Sequence, residues 1–255
     1  MDNTKQIAIS AVKEAGRLLL DLSQDDIRFQ MKNAHDVLAE GDLRSEELII
    51  SRIRKEFPDH SILSEEEGEE VHGKEYLWVI DPIDGTINFS RKIEEYAISI
   101  ALCRKGEIEL GVIYQPVMDK LYVAEKRKGA YLNDKKINVS SEQETINALV
   151  ATDNSSKIDT RIANFQILSK ICSEVRHTCI FGSGALHLAK IAEGKLDFYY
   201  KSRFNFWDYA AGIILIQEAG GKVTDFEGNI ISRDSKNIIA SNGVLHKKVL
   251  DLITK

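Results

Sequence analysis

YLWVIDPIDGTINF, residues 76–89, joins a short apolar run to a pair of aspartates. The run from Tyr76 to Ile80 is apolar or aromatic throughout, which is typical of a buried strand bounded by a turn. Pro82 has no backbone N–H, so we expect the strand to end before it. Gly85 tolerates unusual dihedral angles and lets a ligand approach the backbone. The segment therefore predicts two carboxylates on a tight turn at the end of a core strand.

The two aspartates of this turn, Asp81 and Asp84, have two interpretations. Asp, Pro and Gly are common in surface turns, and an isolated DxxDG motif favours that interpretation. However, two carboxylates this close both stay ionised near neutral pH only if a cation lies between them. Further carboxylates occur upstream in SEEEG, residues 64–68, and downstream at Asp208. Because hard cations prefer oxygen ligands, we expect these side chains to form a site for divalent cations.

Three segments together resemble the inositol monophosphatase family: WVIDPIDGTINF at 78–89, SEEEG at 64–68 and FWDYAAGIILIQEAGG at 206–221. The resemblance extends over roughly Ile7 to Leu252. The family belongs to the Mg²⁺-dependent, Li⁺-sensitive phosphatases, which also include fructose-1,6-bisphosphatases. The resemblance therefore implies a phosphoric monoester hydrolase.

The order of apolar segments predicts the fold class. Consecutive strands joined by short turns indicate a largely antiparallel sheet in the first half of the chain. Around Ser140 the pattern changes to strands alternating with helices, as expected for an α/β lobe. We expect an α+β / α/β layered sandwich with alternating α-β-α-β-α layers. An N-terminal lobe over residues 1–143 would carry the DPIDGT turn, and a C-terminal lobe over residues 144–255 would complete the site.

The resemblance implies a role for each acidic position. The expected metal ligands, for two or three Mg²⁺ ions, are Glu65, Asp81, Asp84, Asp208 and the main-chain carbonyl of Ile83. Thr86 and Asp42 would orient and deprotonate the attacking water, with Glu66 beside the metal-bound water, and Ca²⁺ or Li⁺ would inhibit. From the residues alone, Asp42 is also a favoured N-cap for the helix whose apolar stripe begins at Leu43. The run of glutamates is equally typical of a solvated face.

A glycine-rich helix start, Gly182-Ser183-Gly184, is a second candidate for substrate contact. Its backbone N–H groups form a natural anion site, although an ordinary flexible cap has the same sequence. The family uses this segment beside the substrate. The expected substrate-binding residues are Asp84, Gly85, Thr86, Gly182, Ser183, Gly184, Lys201, Arg203 and Asp208.

Two positions depart from the pattern of the family and bear on the substrate. Animal inositol monophosphatases commonly carry Glu where this chain has Lys201, and many relatives carry Arg where it has Cys179. Lys201 and Arg203 could bind a second phosphate, or they could be solvated charges at a strand end. We expect inositol-1-phosphate as the substrate. The alternatives are fructose-1,6-bisphosphate, a dual specificity, or a nucleotide such as 3′-phosphoadenosine 5′-phosphate or NADP.

Two rival classes of protein share parts of the motif. Phosphatases of the haloacid dehalogenase type carry DxDGT, with a single residue between the aspartates, and phosphorylate the first one. The spacing DPIDGT disfavours that mechanism, because a nucleophile depends on its placement. A non-catalytic protein could hold a structural cation in the same acidic cage. The pair of Asp42 and Thr86 favours an enzyme, since such a cage has no use for a proton relay.

Composition limits the possible partners. The chain has 255 residues, 43% of them hydrophobic, and a net charge of −6, which disfavours a nucleic-acid partner. Three cysteines without CxxC spacing indicate reduced thiols and no zinc site. The N-terminus lacks a signal-peptide pattern, and no apolar run reaches the length of a bilayer span. We therefore expect a cytoplasmic protein without membrane contact. The resemblance implies that it acts on a small sugar or inositol phosphate. The relatives are usually homodimers.

Overall fold

The computed structural model describes residues 2–24, 29–33 and 36–254. Within these ranges the chain forms seven α-helices: α1 (Asp2–Gln24), α2 (Glu40–Glu56), α3 (Thr86–Ser90), α4 (Ile158–Ile171), α5 (Gly184–Ala192), α6 (Phe206–Glu218) and α7 (His246–Thr254). A 3₁₀ turn covers Thr145–Asn147. None of the described helices is both long and apolar enough to cross a lipid bilayer.

Fifteen strands in the described residues form three sheets. A two-stranded ribbon contains β1 (Phe29–Asn33) and β2 (Asp36–Ala39). The large sheet contains β3 (Ser61–Ser64), β4 (Gly68–Glu70), β5 (Tyr76–Asp84), β6 (Ala97–Arg104), β7 (Glu107–Gln115), β8 (Lys120–Glu125), β9 (Gly129–Leu132) and β10 (Lys135–Ile137). The small sheet contains β11 (Leu149–Ala151), β12 (His177–Cys179), β13 (Phe198–Lys201), β14 (Lys222–Thr224) and β15 (Ile238–Ser241).

The pairing of the strands differs between the two main sheets. The large sheet has the order β10-β9-β8-β7-β6-β5-β3-β4, and β3 with β5 is its one parallel pair among the described strands. The small sheet has the order β12-β11-β13-β15-β14, with β11 parallel to both of its neighbours and β15 antiparallel to both of its own. The prediction of a largely antiparallel first sheet is thus confirmed.

The helices and sheets stack in five layers. On β5, Trp78 and Ile80 face the core that α1 and α2 form, whereas Val79 faces the core that α5 and α6 form. This alternation follows from the two-residue period of a strand. The small sheet covers the other side of α5 and α6, and α4 with α7 covers its outer face. The predicted α-β-α-β-α sandwich is therefore confirmed, and the apolar α6 is buried in its middle layer, as its composition indicates.

The prediction that the strand ends before Pro82 is wrong. Strand β5 continues to Asp84, but its pairing with β6 shifts between Asp81 and Asp84. Asp81 pairs with Ser99 and Asp84 with Ala97, so β5 has one residue more than its partner over this interval. Such a bulge accommodates a proline, because the ladder does not need its N–H there. The bulge places both aspartates on a strand that is held on one side only, since the partner β3 ends opposite Ile80.

Two smaller predictions also need correction. Helix α2 begins at Glu40, so Asp42 lies inside its first turn and is not the N-cap. Leu43 is 51% exposed and does not belong to the apolar stripe of α2. The later glutamates of the acidic run are largely exposed, and Glu69 and Glu70 lie on the short strand β4, which pairs with β3. The boundary between the two lobes, at residues 143 and 144, stays a prediction. Helix α6, which belongs to the predicted C-terminal lobe, contacts both main sheets.

We expect stability to depend on pH through His246. This buried side chain lies between two hydroxyls, with Thr224 Oγ1 2.9 Å from Nε2 and Ser241 Oγ 2.9 Å from Nδ1. Burial lowers the pKa of His246 to about 4. The folded state therefore disfavours the protonated ring, and the stabilisation is complete above the unfolded pKa of about 6.5. As the pH falls from 6.5 to 4, the free energy of unfolding should decrease by up to about 3 kcal/mol.

Urea unfolding at several pH values measures this effect. The variant His246→Gln should lose the part of the pH slope between 6.5 and 4 that the wild-type histidine contributes. His177→Gln is the matched control, because it removes a histidine that is exposed on β12. Equal slopes in wild type and His246→Gln would contradict this assignment.

Candidate active site

One cavity collects the acidic side chains that the sequence singles out. Five carboxylates line it: Glu65, Asp81, Asp84, Asp153 and Asp208. Strands β3 and β5 are parallel neighbours, so the turn after β3 and the end of β5 meet at the same edge of the large sheet. The other two carboxylates come from the residue pair after β11 and from the first turn of α6. Segments far apart in the chain thus converge on one acidic cavity.

The turn that carries Glu65 is held by a buried glutamate of α2. Glu46 is 1% exposed and accepts hydrogen bonds from Ser64 Oγ (3.0 Å), Glu66 N (3.1 Å) and Glu67 N (2.7 Å). Burial raises the pKa of Glu46, although these three donors oppose the shift. Its side chain therefore fixes the turn after β3. The sequence analysis missed Glu46, because its three partners lie 18 to 21 positions away.

Asp81 and Asp84 are both anchored by backbone N–H groups. Asp81 is 1% exposed, and its Oδ1 accepts a hydrogen bond from Ile83 N at 3.1 Å. Asp84 Oδ2 accepts from Ala185 N at 2.6 Å and from the hydroxyl of Ser183. The hydroxyl of Ser183 is therefore directed at Asp84. Ser183 itself does not line the cavity, whereas its neighbours Gly182 and Gly184 do. The start of α5 orients one of the predicted metal ligands.

The charges in the cavity repel one another. Burial raises the pKa of Asp81 well above its ordinary value, and Glu65, Asp84 and Asp208 raise it further. Burial likewise raises the pKa of Asp84 to about 7, against the opposing hydrogen bond from Ser183. Burying several like charges is costly unless a cation compensates them. A divalent cation with oxygen ligands would provide that compensation.

The donor set fits a hard cation by its chemistry. Carboxylates and a main-chain carbonyl, that of Ile83, are the ligands that Mg²⁺ and Ca²⁺ prefer. Among the residues that the structure describes, no group of three or more His, Cys, Asp or Glu side chains is already arranged to hold a metal ion. The fit therefore rests on the ligand types and on the mutual repulsion of the buried carboxylates.

Thr86 and Asp42 are in direct contact beside these carboxylates. Thr86 Oγ1 lies 3.1 Å from Asp42 Oδ1, to which it donates, and 3.0 Å from the carbonyl oxygen of Ile83. Asp42 is fully buried, whereas Glu66 is half-buried on the neighbouring turn and does not line the cavity. The arrangement lets a proton move from a molecule at Thr86 to a buried carboxylate.

Gly85 brings the start of α3 close to the start of α5. Its φ is +103°, and a Cβ there would lie 3.0 Å from Glu95 O and 3.2 Å from Gly182 O. Asn88, one turn further along, donates from Nδ2 to Glu95 O and to Phe181 O, both at 2.7 Å. Asn88 thus ties the turn after β5 to the loop before α5. The sequence analysis quoted this asparagine inside its central segment but assigned it no role.

Asp153 and Lys201 form an ion pair inside the cavity. Lys201 Nζ lies 3.3 Å from Asp153 Oδ2 and 3.9 Å from Asp208 Oδ2. Burial alone would raise the pKa of Asp153, but Lys201, His187 and the hydroxyl of Tyr199 outweigh it and hold this pKa well below its usual range. Lys201 lines the cavity as predicted, although it faces carboxylates. The sequence analysis missed Asp153. The signal that could have found it is the Thr-Asp-Asn sequence directly after the apolar run ALVA, residues 148–151.

His187 links this ion pair to the loop before α5. Its Nε2 accepts a hydrogen bond from Phe181 N at 3.0 Å, so the proton of the neutral ring is on Nδ1. Nδ1 faces Asp153 Oδ1 at 3.0 Å. The ring also stacks on Tyr199, with the ring centroids 5.1 Å apart. The buried histidine therefore connects two walls of the cavity.

The remaining wall is polar and carries two exposed cations. Lys157 and Arg203 line the cavity together with Asn154, Ser155 and Asn205. Cys179, where many relatives carry Arg, is a half-buried free thiol on β12 and does not line the cavity. The cavity is thus acidic at the ends of the strands and basic at its rim.

Known proteins are similar to this chain in sequence and in architecture. The model of the inositol monophosphatase family matches residues 1–255. An inositol-1-monophosphatase of Bacillus subtilis is 35% identical over 250 residues, covering 96% of this chain and 94% of its own. A fructose-1,6-bisphosphatase/inositol-1-monophosphatase of Thermotoga maritima is 38% identical over 220 residues, covering 86% of this chain and 83% of its own. The crystal structure of the extragenic suppressor protein suhB from Bartonella henselae superposes with a TM-score of 0.95 at 32% identity, covering 99% of each chain.

These matches show the family to which the chain belongs. The family model spans the whole chain, and two relatives exceed 30% identity over most of it. The resemblance found in DPIDGT and its two companion segments is therefore confirmed. The chain belongs to the inositol monophosphatase family and is a phosphoric monoester hydrolase.

Proposed function

We propose that the protein hydrolyses inositol-1-phosphate to inositol and phosphate with the help of divalent cations. The observation that carries the proposal is the contact of Thr86 with Asp42 at the edge of a cavity lined by buried, mutually repelling carboxylates. A proton acceptor beside a cation site suits the activation of water. A protein that merely stores a cation would not need it.

The metal ligands of this proposal are those of the sequence analysis. Glu65, Asp81, Asp84, Asp208 and the carbonyl oxygen of Ile83 would hold two or three Mg²⁺ ions. When bound, such ions supply Lewis acidity, which polarises the phosphoryl group and makes water a better nucleophile at neutral pH. The hydrogen bonds of Asp84 to Ser183 and Ala185 leave its second oxygen available for this role.

The protein residues handle the proton and the position of the substrate. A water oxygen forms the new bond to phosphorus while the bond from phosphorus to the ester oxygen breaks. Thr86 accepts the proton of that water and passes its own hydroxyl proton to Asp42, and the leaving alcohol takes a proton from solvent. Gly85, Thr86, Gly182 and Gly184 line the cavity where the phosphate would lie. No residue is phosphorylated, because water attacks directly.

Fructose-1,6-bisphosphate is the second candidate substrate. Arg203 and Lys157 line the cavity, are exposed, and provide positive charge for a second phosphate. Lys201, which the sequence analysis paired with Arg203 for this purpose, is instead engaged by Asp153. The relative from Thermotoga maritima carries both activities in its name. A cytoplasmic homodimer remains our expectation for the assembly and its compartment.

A phosphate-release assay tests the proposal and ranks the substrates. Inositol-1-phosphate, fructose-1,6-bisphosphate, 3′-phosphoadenosine 5′-phosphate and NADP would each be measured with Mg²⁺ and with excess chelator. We expect release from inositol-1-phosphate only with Mg²⁺, and inhibition by added Li⁺ or Ca²⁺. Turnover that survives the chelator would overturn the proposal. Divalent-ion binding without turnover of any ester would favour a structural cation site.

A further inference from the structure

The ammonium group of Lys201 is held inside the acidic cavity. The Lys201 side chain is 14% exposed, and its Nζ lies between Asp153 Oδ2 at 3.3 Å and Asp208 Oδ2 at 3.9 Å. The same Nζ lies 5.3 Å from the ring centroid of Tyr209. One of the carboxylates proposed to bind a divalent cation therefore already has a positive charge beside it.

Asp153 is the residue that fixes this ammonium in place. Its Oδ2 accepts a hydrogen bond from Tyr199 and lies 3.4 Å from the hydroxyl of Tyr209, while its Oδ1 faces His187. All three of these partners are fully buried. Asp153 is therefore surrounded by buried protein groups and acts as an anchor for Lys201. Asp208 accepts its backbone hydrogen bond, from Asn205 N, on Oδ2.

We infer that Lys201 is a built-in cation that weakens divalent-ion binding at Asp208 and that Asp153 positions it there. This inference rests on the function proposed above, because it needs Asp208 to be a metal ligand. Like charges a few ångströms apart repel strongly where water is largely excluded. An ion held by Asp208 should therefore bind less tightly than it would without Lys201.

The two members of the ion pair make opposite predictions. Lys201→Gln removes the positive charge and leaves the negative charge of Asp153, so the affinity for the ion at Asp208 should rise at least about tenfold. Asp153→Asn leaves Lys201 with Asp208 as its nearest anionic partner, so the affinity should fall by about tenfold. General damage to the fold lowers affinity in both variants. A gain in one and a loss in the other is therefore specific to the charge.

Mn²⁺ is a suitable probe, since the electron paramagnetic resonance signal of the free ion reports binding without substrate or turnover. The full-length protein would be titrated as wild type, Lys201→Gln and Asp153→Asn, with circular dichroism confirming the fold. Lys120→Gln is the matched control, because Lys120 is also a half-buried, ion-paired lysine but lies outside the cavity. Its isotherm should match the wild type. In an Asp208→Asn background, the Lys201→Gln gain should disappear, which localises the effect.

The outcomes separate this inference from the proposed function. Absence of Mn²⁺ binding by wild type would overturn both. Wild-type binding that Asp81→Asn weakens, together with an unchanged or weaker isotherm for Lys201→Gln, would keep the metal site and overturn the inference. A gain for Lys201→Gln that persists in the Asp208→Asn background would also overturn it. The expected result is a gain for Lys201→Gln, a loss for Asp153→Asn, and no gain without Asp208.

Discussion

Replacing Asp81 by asparagine should reduce Mg²⁺-dependent phosphate release by about 10³-fold or more. Asp81 is almost completely buried at the bulge of β5, and the charges of Glu65, Asp84 and Asp208 act on it. Asparagine keeps the shape and the acceptor for Ile83 N, but it removes the charge that a divalent ion needs. Lewis-acid catalysis contributes several kcal/mol, and each 1.36 kcal/mol is worth about a factor of ten in rate. Initial rates over a range of Mg²⁺ concentrations measure the loss.

The same substitution should stabilise the protein when no metal is present. Asp81 adds a buried negative charge to a cavity that already repels it, so its neutralisation relieves part of that cost. In excess chelator, we expect a higher melting temperature for Asp81→Asn, by about 2–4 °C for each kcal/mol gained. Glu67→Gln is the control, because Glu67 is an exposed member of the acidic run and should change neither property. Full activity in Asp81→Asn would refute the role of this aspartate.

The sequence was sufficient to identify candidate site residues that are adjacent in the chain. Asp81, Asp84, Gly85 and Thr86 belong to one short motif, and a motif of this kind can be identified without knowing any contact. Asp208 could be placed because an acidic residue at the start of an apolar helix needs a partner. The structure groups all of these residues around a single cavity.

The residues that the sequence analysis missed act across long separations. Asn88 donates a hydrogen bond to Phe181, which lies 93 positions further along the chain. Asp153 forms an ion pair with Lys201, which lies 48 positions further along. No local pattern distinguishes a buried aspartate that anchors a lysine from one that ends a strand in solvent. The environment of Lys201 was misjudged for the same reason, since its partner was unknown. Only the folded arrangement of β11, β13 and α6 reveals the pair.

The bulge at Pro82 shows how tertiary pairing can override a local rule. A proline commonly interrupts the hydrogen bonds between two strands. Here the extra residue in β5 lets the pairing with β6 resume at Asp84. The resulting offset directs Asp81 and Asp84 into one cavity. A regular strand would place residues three positions apart on opposite faces of the sheet. The proline is therefore part of the reason that the two carboxylates meet.

Replacing Glu46 by alanine should both destabilise the protein and impair metal binding. Its carboxylate accepts hydrogen bonds from Ser64 Oγ, Glu66 N and Glu67 N in a buried position. Alanine would leave three donors without these acceptors, at about 1–3 kcal/mol each, reduced where water enters. We expect a loss of about 3–5 kcal/mol in the free energy of unfolding, measured with urea. The turn would then no longer fix Glu65, so the Mg²⁺ concentration for half-maximal activity should rise.

Two matched variants separate the positioning role of Glu46 from a general effect of charge. Glu47→Ala changes the adjacent residue of the same helix, which is exposed, and it should alter stability by less than about 0.5 kcal/mol. Glu46→Gln keeps one carbonyl oxygen, which can still accept from Ser64 and Glu67, but presents an amide N–H₂ to Glu66 N. Its stability and its requirement for Mg²⁺ should therefore lie between wild type and Glu46→Ala. If Glu46→Ala needed no more Mg²⁺ than wild type, Glu46 would stabilise the fold without positioning Glu65.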